Sequence, residues 1–394
     1  MSFLLTLFFN CLIFNSLIQG AEEKDLPKCS DICPGCTCLD EIAIEKFGNE
    51  QEKFEIDQEK LNDLEEECKK KILGQDEIVK EVCRMVKTAL LVGDEKPCVI
   101  LLGGEPGCGK TSLVKTIAQH IYGDNYEKFY QKIEMQCYSS DQYVSTLVGS
   151  ATGYIGDEGI IAKFCRQDKK IILFDEIEKA HNAVCSALLS LLEGEKTNTG
   201  KGTNCRLPKN CIIFMTTNAG SGFLDNFKMF NATYRQNAKN NADIINISLR
   251  LGLNSNGCQN KEHSTVGELI DRITKTFAMK TVKNKETIKK FIKNCIEDTV
   301  KELNKINQNI VLSSEENIEI ENIYEKHIKE EESSMRRIKE QTSNAIKNAF
   351  TDFILTADNI NLNKYSGPQK TIKLKWENNA FKCEEEENGD EAEN

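Results

Sequence analysis

The residues from Gly104 to Ser112 have the types and spacing needed to hold the phosphates of a nucleotide. They contain the complete pattern G-x-x-x-x-G-K-[ST]. Glycines let the backbone fold so tightly that its N–H groups point at phosphate oxygens, and the positive end of the following helix adds to the attraction. We expect Lys110 to reach the β- and γ-phosphates and Thr111 to bind Mg²⁺. The predicted nucleotide-binding residues are Gly104, Glu105, Pro106, Gly107, Cys108, Gly109, Lys110, Thr111 and Ser112.

Two apolar segments flank this loop and indicate the elements that position it. The segment Cys98–Leu102 is continuously apolar, which is typical of a strand covered on both faces. After the loop, apolar residues recur on one helical face, at Leu113, Val114, Ile117, Ala118 and Ile121. Strand, loop and helix therefore follow one another in the order that a phosphate-binding loop requires.

A second buried strand is predicted at Ile171–Phe174, and it ends in Asp175 and Glu176. Carboxylates at the carboxyl end of a parallel strand lie where open α/β sheets bind their ligands. We expect Asp175 to bind Mg²⁺ through water, and Glu176 to be the general base that accepts a proton from an attacking water. The alternative is that these two acids only cap the following helix.

A third strand, Cys211–Met215, ends in Thr216, Thr217 and Asn218. A neutral amide at this place can orient a water beside a γ-phosphate without repelling either. An asparagine after a strand is by itself a turn signal. Because it follows two strand ends that carry a phosphate loop and an Asp-Glu pair, we assign Asn218 to the same catalytic site.

Between the first two of these strand ends lies a glycine-rich loop, residues 149–159, that carries Tyr154 and Ile155. Large aromatic residues between glycines are seldom structural, so the pair is a candidate for contact with a substrate. An ordinary mobile loop is the alternative.

Composition indicates a soluble globular protein with room for two domains. The 394 residues are 39% hydrophobic and 29% charged, and the formal net charge is −11. Such an acidic chain is not expected to have nucleic acid or an anionic membrane as its main partner. Part of the acidity lies in residues 377–394, which we expect to form a disordered tail.

The N-terminus predicts entry into the secretory pathway. Residues 1–20 begin with an uncharged, apolar run and read as a signal peptide, although the run could be kept as a membrane anchor. We expect the lumen of the endoplasmic reticulum as the location, and contact with a membrane only if this segment is retained. Residues 21–63 then form a Cys-rich segment and a charged linker. Local disulfides are favoured over a zinc site by the close spacing of Cys29, Cys33, Cys36 and Cys38.

The last third of the chain predicts a second, mostly helical domain. The apolar positions of Glu286–Leu303 have helical spacing, and further helices are expected at about 315–329 and 333–355. Short strands are expected at Ile310–Leu312 and Thr371–Trp376.

Four segments of this chain resemble the second ATPase module of the Clp/ClpB branch of AAA+ ATPases. Gly74–Glu77 is similar to the segment before that family's phosphate loop, and Gly153–Gly156 is similar to its aromatic pore loop. Phe174–His181 is similar to its Walker B segment, and Thr216–Ser221 is similar to its sensor-1 segment. The resemblance implies an α/β fold, with a P-loop AAA+ parallel-sheet sandwich at residues 64–279 as the large ATPase domain. It implies a smaller, mostly helical C-terminal α+β domain at residues 280–376. ATP and Mg²⁺ are the implied cofactors.

The same resemblance implies two arginines at the site. The segment Gly267–Arg272 is similar to the arginine-finger segment, so Arg272 would enter the site of a neighbouring subunit and stabilise charge on the γ-phosphate. The segment 334–339 is similar to the sensor-2 motif, with Ser334 and Met335 where the family usually has Gly-Ala. Arg336 is the implied sensor-2 residue, and Arg337 is the alternative.

The resemblance also implies a homo-oligomeric ring, usually a hexamer, that threads protein substrates through its centre. Tyr154 and Ile155 would grip the substrate, and residues 199–202 would form a lower pore loop. An adaptor or an activating cofactor is a further implied partner. Because no first ATPase module or coiled-coil middle domain precedes the module, we do not expect full disaggregase behaviour.

The predicted secretory route suggests the torsins, which are lumenal relatives in the same branch, as an alternative. In that case the chain would be a partner-activated ATPase switch that acts on membrane-associated complexes. Torsins lack an aromatic pore loop and a usable arginine finger, whereas this chain carries Tyr154 and Arg272. A non-catalytic ATP-binding scaffold is disfavoured by the intact catalytic set, which is Lys110, Asp175, Glu176 and Asn218.

Overall fold

Buried apolar strands alternate with amphipathic helices over the larger part of the described chain. The computed structural model describes residues 57–94, 96–149, 159–167, 170–195, 197–198, 204–224, 240–255, 265–306, 310–314, 318–328, 334–356, 370–378 and 380–385. All of them belong to one unit, Ile56–Asn394.

The elements that carry the predicted site come first along the chain. The helices are α1 Gln58–Lys71, α2 Asp76–Val92, α3 Lys110–Tyr122, α4 Tyr126–Phe129, α5 Val144–Val148, α6 Ile160–Arg166, α7 Asn182–Leu192, α8 Asn241–Ser255 and α9 Thr265–Asp271. The strands are β1 Cys98–Gly104, β2 Tyr130–Glu134, β3 Ile171–Asp175, β4 Thr197–Asn198, β5 Asn204–Cys205, β6 Ile212–Thr217 and β7 Lys275–Met279. Short 3₁₀ helices include Met135–Tyr138 and Ile177–Lys179.

Five parallel strands form the main sheet, in the order β2-β3-β6-β1-β7. The register places Leu102 beside Thr216 and Phe174 beside Met215. The carboxyl ends of β1, β3 and β6 therefore meet at one edge of the sheet, which brings the three predicted strand ends together. The predicted α/β class, with a parallel sheet, is confirmed.

The central strands are buried on both faces, which explains their unbroken apolar sequences. Val99 and Leu101 of β1 belong to a core shared with Leu188 of α7 and Ile245 of α8. The intervening Ile100 is equally inaccessible to solvent. Helix α3 packs against β1, β3 and β6, so the helix that begins in the phosphate loop is fixed on the centre of the sheet.

The C-terminal elements have their own core, and they are α10 Lys285–Ile306, β8 Ile310–Ser314, α11 Ile320–Ile328, α12 Met335–Thr356, β9 Lys370–Glu377 and β10 Ala380–Glu385. Strand β9 pairs in parallel with β8 and antiparallel with β10. Ile292, Ile346 and Leu374 lie at the centre of this core. The boundary that we place between residues 279 and 280 stays a prediction.

Two predicted boundaries need correction. The tail predicted to be disordered from residue 377 contains β10, because Phe381 packs on Trp376 and joins the C-terminal core. The linker predicted to end at residue 63 contains the start of α1, whose first turn is capped by the Asp57 carboxylate accepting from the backbone N–H of Glu59. Charged composition concealed β10, whereas a helix was expected after the linker and only its start was placed too late.

Several predictions lie outside the described residues. These are the signal peptide or anchor at residues 1–20, the four clustered cysteines, Tyr154, Ile155 and the lower pore loop. None of the helices in the described part of the chain combines the length and apolarity that a membrane span requires.

Candidate nucleotide-binding site

The phosphate loop leaves β1 through a position that only glycine fits. Gly104 has a φ of 153°, and a Cβ there would lie 2.2 Å from the carbonyl oxygen of Met279 on the neighbouring strand β7. Gly107, with a φ of 82°, forms the outer turn, where a Cβ would lie 3.1 Å from that of Ser334. The loop is therefore held between β7 and the start of α12.

Lys110 is buried, and its ammonium connects the phosphate loop to the end of β6. Nζ donates to the carbonyl oxygens of Gly104 at 2.7 Å and Glu105 at 2.9 Å, and to Oδ1 of Asn218 at 2.9 Å. These acceptors hold the ammonium at the mouth of the loop. Phosphate oxygens of a bound nucleotide would offer stronger, charged acceptors at the same place.

Cys108 lies inside the loop, with its sulfur 3.8 Å from the Lys110 ammonium. Burial raises the pKa of this thiol above its ordinary value, although the nearby lysine opposes that effect. The side chain is only 5% exposed. Cys108 is therefore a protonated, poorly reactive thiol at neutral pH.

Asp175 is the most heavily engaged carboxylate of the site. Its Oδ1 accepts from the hydroxyls of Thr111 at 2.9 Å and Thr216 at 2.5 Å, and its Oδ2 lies 2.8 Å from the ammonium of Lys132. Burial would raise the pKa of the Asp175 carboxyl, but the bonds from Lys132, Thr216 and Thr111 together lower it below its ordinary value. Asp175 is thus an anion held in one orientation.

Glu176 follows with a backbone conformation that few side chains adopt. Its φ is 57° and its ψ is 56°, in the left-handed region, and its N–H donates to the hydroxyl of Thr216 at 2.9 Å. The sharp turn brings Oε1 to within 3.2 Å of the Nδ2 of Asn218, which donates to it. The structure therefore brings Glu176 and Asn218 together, as the sequence predicts.

Glu178 fixes the backbone at this edge. One of its carboxylate oxygens accepts from the backbone N–H of Asn218 at 3.0 Å. The turn after β3 and the turn after β6 are thus joined by two hydrogen bonds, one through each of two glutamates. This pairing sets the distance between the candidate base and the candidate water-orienting amide.

Thr111 and Asp175 offer a donor set that fits Mg²⁺. Both are oxygen ligands, they lie in direct contact, and they stand beside the loop that would hold phosphates. In the described part of the chain, no group of three or more His, Cys, Asp and Glu side chains could enclose a metal ion. Mg²⁺ in nucleotide enzymes keeps waters and substrate phosphates as ligands, so one carboxylate and one hydroxyl are sufficient.

Sequence reasoning missed Thr216, Lys132 and Glu178 as site residues. Thr216 carried a usable signal, because it directly follows an apolar strand and is followed by the predicted Asn218. Lys132 carried no specific signal in the sequence, because a lysine on an edge strand is usually a solvated residue. Only the pairing of β2 with β3 places it beside Asp175.

Arg272, the implied arginine finger, lies just after α9 and contacts its own subunit. Nε lies 2.8 Å from a carboxylate oxygen of Glu193, which follows α7, and Nη1 donates to the carbonyl oxygen of Glu268 at 2.8 Å. The side chain is 22% exposed. These partners lie just after α7 and within α9, so the structure does not bring Arg272 into the group formed by Asp175 and Glu176.

The implied sensor-2 segment begins α12, next to the phosphate loop. Ser334 lies against Gly107, and its hydroxyl accepts from the backbone N–H of Arg337 at 3.4 Å. The Arg336 side chain is 78% exposed and pairs with Glu340 at 3.1 Å, one turn along the same helix. The helix start is therefore close to the loop while both arginines face solvent, and the choice between them stays a prediction.

The segment before the phosphate loop ties the two cores together. Gln75 is buried, and its Nε2 donates to the carbonyl oxygen of Lys280 at 2.5 Å. Glu105 of the loop accepts from the hydroxyl of Thr281 in the same connection. The link between the large and small parts thus runs beside the nucleotide site.

Sequence comparisons agree with this geometry. The family model described as "AAA domain (Cdc48 subfamily)" matches residues 95–255. The chain is 37% identical over 177 residues to the chaperone protein ClpB of Clostridium tetani, covering 43% of this chain and 20% of that protein. It is 34% identical over 214 residues to chloroplastic ClpC1 of Arabidopsis thaliana, covering 52% and 22%. The aligned stretch spans about a fifth of each relative.

A structural comparison supports the same fold. Hsp104 in the extended conformation of the S. cerevisiae Hsp104:casein complex superposes with a TM-score of 0.63 at 22% identity, covering 88% of this chain and 56% of that chain. The likeness extends beyond the main sheet, because it covers more of the chain than the family match does. Given the family match and the three strand ends, residues 95–255 contain an AAA domain, and its sequence is similar to those of the Clp/ClpB chaperones.

Proposed function

We propose that this protein is an ATPase that couples ATP hydrolysis to the remodelling or unfolding of other proteins. The observation that carries the proposal is the bonded group of Lys110, Asp175, Glu176 and Asn218 at one edge of the sheet. An ion-binding carboxylate, a proton acceptor and a water-orienting amide are the groups that hydrolysis of a phosphoanhydride needs.

Each of these side chains has a distinct role in the proposed reaction. Lys110 exchanges its carbonyl acceptors for β- and γ-phosphate oxygens of ATP, and the backbone N–H groups of the loop hold the remaining charge. Thr111 and Asp175 would hold Mg²⁺, which when bound neutralises charge on the phosphates. Glu176 accepts a proton from the attacking water, and Asn218, which donates to that carboxylate, orients the water beside the γ-phosphate.

We further propose that the site is completed by a second copy of the chain in a ring. Arg272 contacts Glu193, just after α7, and Glu268, within α9, so it lies apart from Asp175 and Glu176 of its own chain and we assign it to a neighbouring subunit's site. The Hsp104 structure named above is a complex with the protein casein. A homohexamer that threads polypeptide past Tyr154 and Ile155 is the arrangement we favour.

The proposal also includes an adaptor or an activating cofactor as a partner, and the lumen of the endoplasmic reticulum as the location. A secretory location rests on residues 1–20 alone. The relatives named above are ClpB, ClpC1 and Hsp104, so they lend no support to the torsin-like alternative.

Replacement of Glu176 tests the ATPase. Glu176→Gln keeps the size of the side chain and removes the proton acceptor, so we expect nucleotide binding to be retained while turnover falls about 10²–10⁴-fold. Phosphate release and binding of a fluorescent ATP analogue should be measured on the purified full chain. Glu297→Gln, an exposed change on α10, is the matched control. Wild-type turnover in Glu176→Gln would remove the general-base assignment.

Replacement of Tyr154 tests the coupling. Tyr154→Ala should leave ATP hydrolysis intact and abolish the unfolding of a tagged fluorescent substrate, because the side chain would contact substrate and not nucleotide. Both activities should be followed in the same preparation. Continued unfolding at the wild-type rate would exclude the pore role of this residue.

A further inference from the structure

Lys132 occupies an unexpected place beside the predicted magnesium ligand. It lies on β2, the edge strand of the main sheet, where it pairs in register with Leu173 of β3. From there its ammonium reaches Oδ2 of Asp175 at 2.8 Å and a carboxylate oxygen of Glu134 at 3.2 Å. Oδ1 of Asp175 accepts from two hydroxyls, and the Lys132 ammonium contacts the other carboxylate oxygen, Oδ2.

The charges around this contact make it more than a surface ion pair. Asp175 is only 14% exposed, and the Lys132 side chain is 34% exposed. Glu176 follows Asp175 directly and Glu178 comes two residues later, so three carboxylates lie within four residues at the end of β3. Lys110 directs its ammonium to carbonyl oxygens and to Asn218. In the part of the chain that the structure describes, the cation paired with Asp175 is therefore Lys132.

We propose that Lys132 is a positioning residue that supplies the positive charge at Asp175 when no magnesium is bound. The same ammonium opposes a divalent cation once it arrives, since like charges separated by a few ångströms repel strongly inside a protein. Lys132 thereby stabilises the nucleotide-free site and raises the Mg²⁺ concentration needed for nucleotide binding. This inference rests on the proposed function, because it assumes that Thr111 and Asp175 hold Mg²⁺ together with ATP.

Neutral variants of Lys132 should separate these two effects. Lys132→Met removes the charge and keeps most of the side chain, and Lys132→Gln removes the charge but keeps a donor for Asp175. In both, we expect the half-saturating Mg²⁺ concentration for binding of a non-hydrolysable ATP analogue to fall about tenfold. Lys132→Arg should resemble the wild type, and so should Lys301→Met, an exposed change on α10.

Thermal unfolding provides a readout that does not depend on catalysis. Without nucleotide, the unfolding midpoint of Lys132→Met should fall by about 3–8 °C, because Asp175 loses its counter-charge. Mg²⁺ with the analogue should raise that midpoint by more than it does in the wild type. A merely structural lysine would instead lower the midpoint equally in both conditions.

The outcomes are distinguishable. A half-saturating Mg²⁺ concentration that is unchanged or higher in both neutral variants overturns this inference and leaves the ATPase proposal standing. Wild-type chain that binds no nucleotide at any Mg²⁺ concentration overturns the ATPase proposal, and this inference with it. A half-saturating Mg²⁺ concentration that is lower in Lys132→Met and Lys132→Gln, and equal to the wild-type value in Lys132→Arg, supports the proposed role of Lys132.

Discussion

The phosphate-loop side of the site and the arginine side are built in different ways. On the first side, Lys110, Asp175, Glu176 and Asn218 are connected by hydrogen bonds directly or through one threonine, Thr216. On the second side, Arg272 pairs with Glu193 and Arg336 with Glu340, and neither pair touches the first group.

The difference follows from the elements that carry the residues. The first group stands at the carboxyl ends of adjacent parallel strands, so the sheet itself fixes the distances. The arginines stand at helix ends, where a side chain can reach a neighbouring glutamate, solvent or another subunit. One half of the site is therefore connected within a single chain, and under the proposed function the other half depends on assembly or domain movement.

Removal of Arg272 is the most severe test of this contrast. Arg272→Ala should lower ATP turnover about 10³-fold, because an arginine that reaches the γ-phosphate stabilises the charge of the transition state. Glu193→Ala removes only the partner within the subunit, so turnover should stay within about twofold and the free energy of unfolding should fall by no more than ~1 kcal/mol. Phosphate release and thermal unfolding of both variants give the comparison.

Mixed rings decide whether Arg272 acts between chains. Chains with Arg272→Ala supply an intact Glu176, and chains with Glu176→Gln supply an intact arginine, so mixtures should recover part of the turnover. If no mixing ratio restores activity, the arginine acts within its own chain and the contrast drawn here is wrong.

Thr216 tests the internal connection of the first half. Thr216→Val keeps the shape and removes the hydroxyl that donates to Asp175 and accepts from the N–H of Glu176. Turnover should fall about 10–100-fold, or ~1.4–2.7 kcal/mol of transition-state stabilisation. Thr216→Ser retains the hydroxyl and should stay near wild type. Equal activities of the two variants would show that the hydroxyl is dispensable.

The smallest effects are expected at the start of α12. Arg336→Ala and Arg337→Ala should each change the free energy of unfolding by less than ~0.5 kcal/mol, since both side chains face solvent. Turnover should fall about 3–10-fold in the variant that loses the sensor-2 arginine and stay unchanged in the other. Equal losses in both would indicate that the helix start matters and the individual side chains do not.

The sequence was most informative where backbone geometry dictates residue type. Gly104, Lys110 and Thr111 were predicted from spacing, because a tight phosphate loop tolerates few alternatives. The apolar segments at Ile171–Phe174 and Cys211–Met215 predicted two neighbouring strands. Since parallel strands end at a common edge, the meeting of Glu176 with Asn218 followed from the fold class and is present in the structure.

The sequence was less informative wherever pairing between distant elements decides the outcome. Lys132 reaches Asp175 only because β2 lies beside β3, and no local pattern encodes that neighbour. Strand β10 was concealed by its charged composition, and it forms because Phe381 covers Trp376. The contact of Arg272 with Glu193 was hidden for the same reason, since these two residues lie far apart in sequence.

The left-handed backbone of Glu176 implies a conflict between durability and catalysis. A side chain held in that region costs about 1–3 kcal/mol, which a glycine would largely avoid. Selection for heat resistance alone would therefore favour replacing Glu176, while selection for hydrolysis would retain it. Glu176→Gly would thus exchange hydrolysis for stability, and a single substitution would turn the proposed ATPase into a passive nucleotide binder.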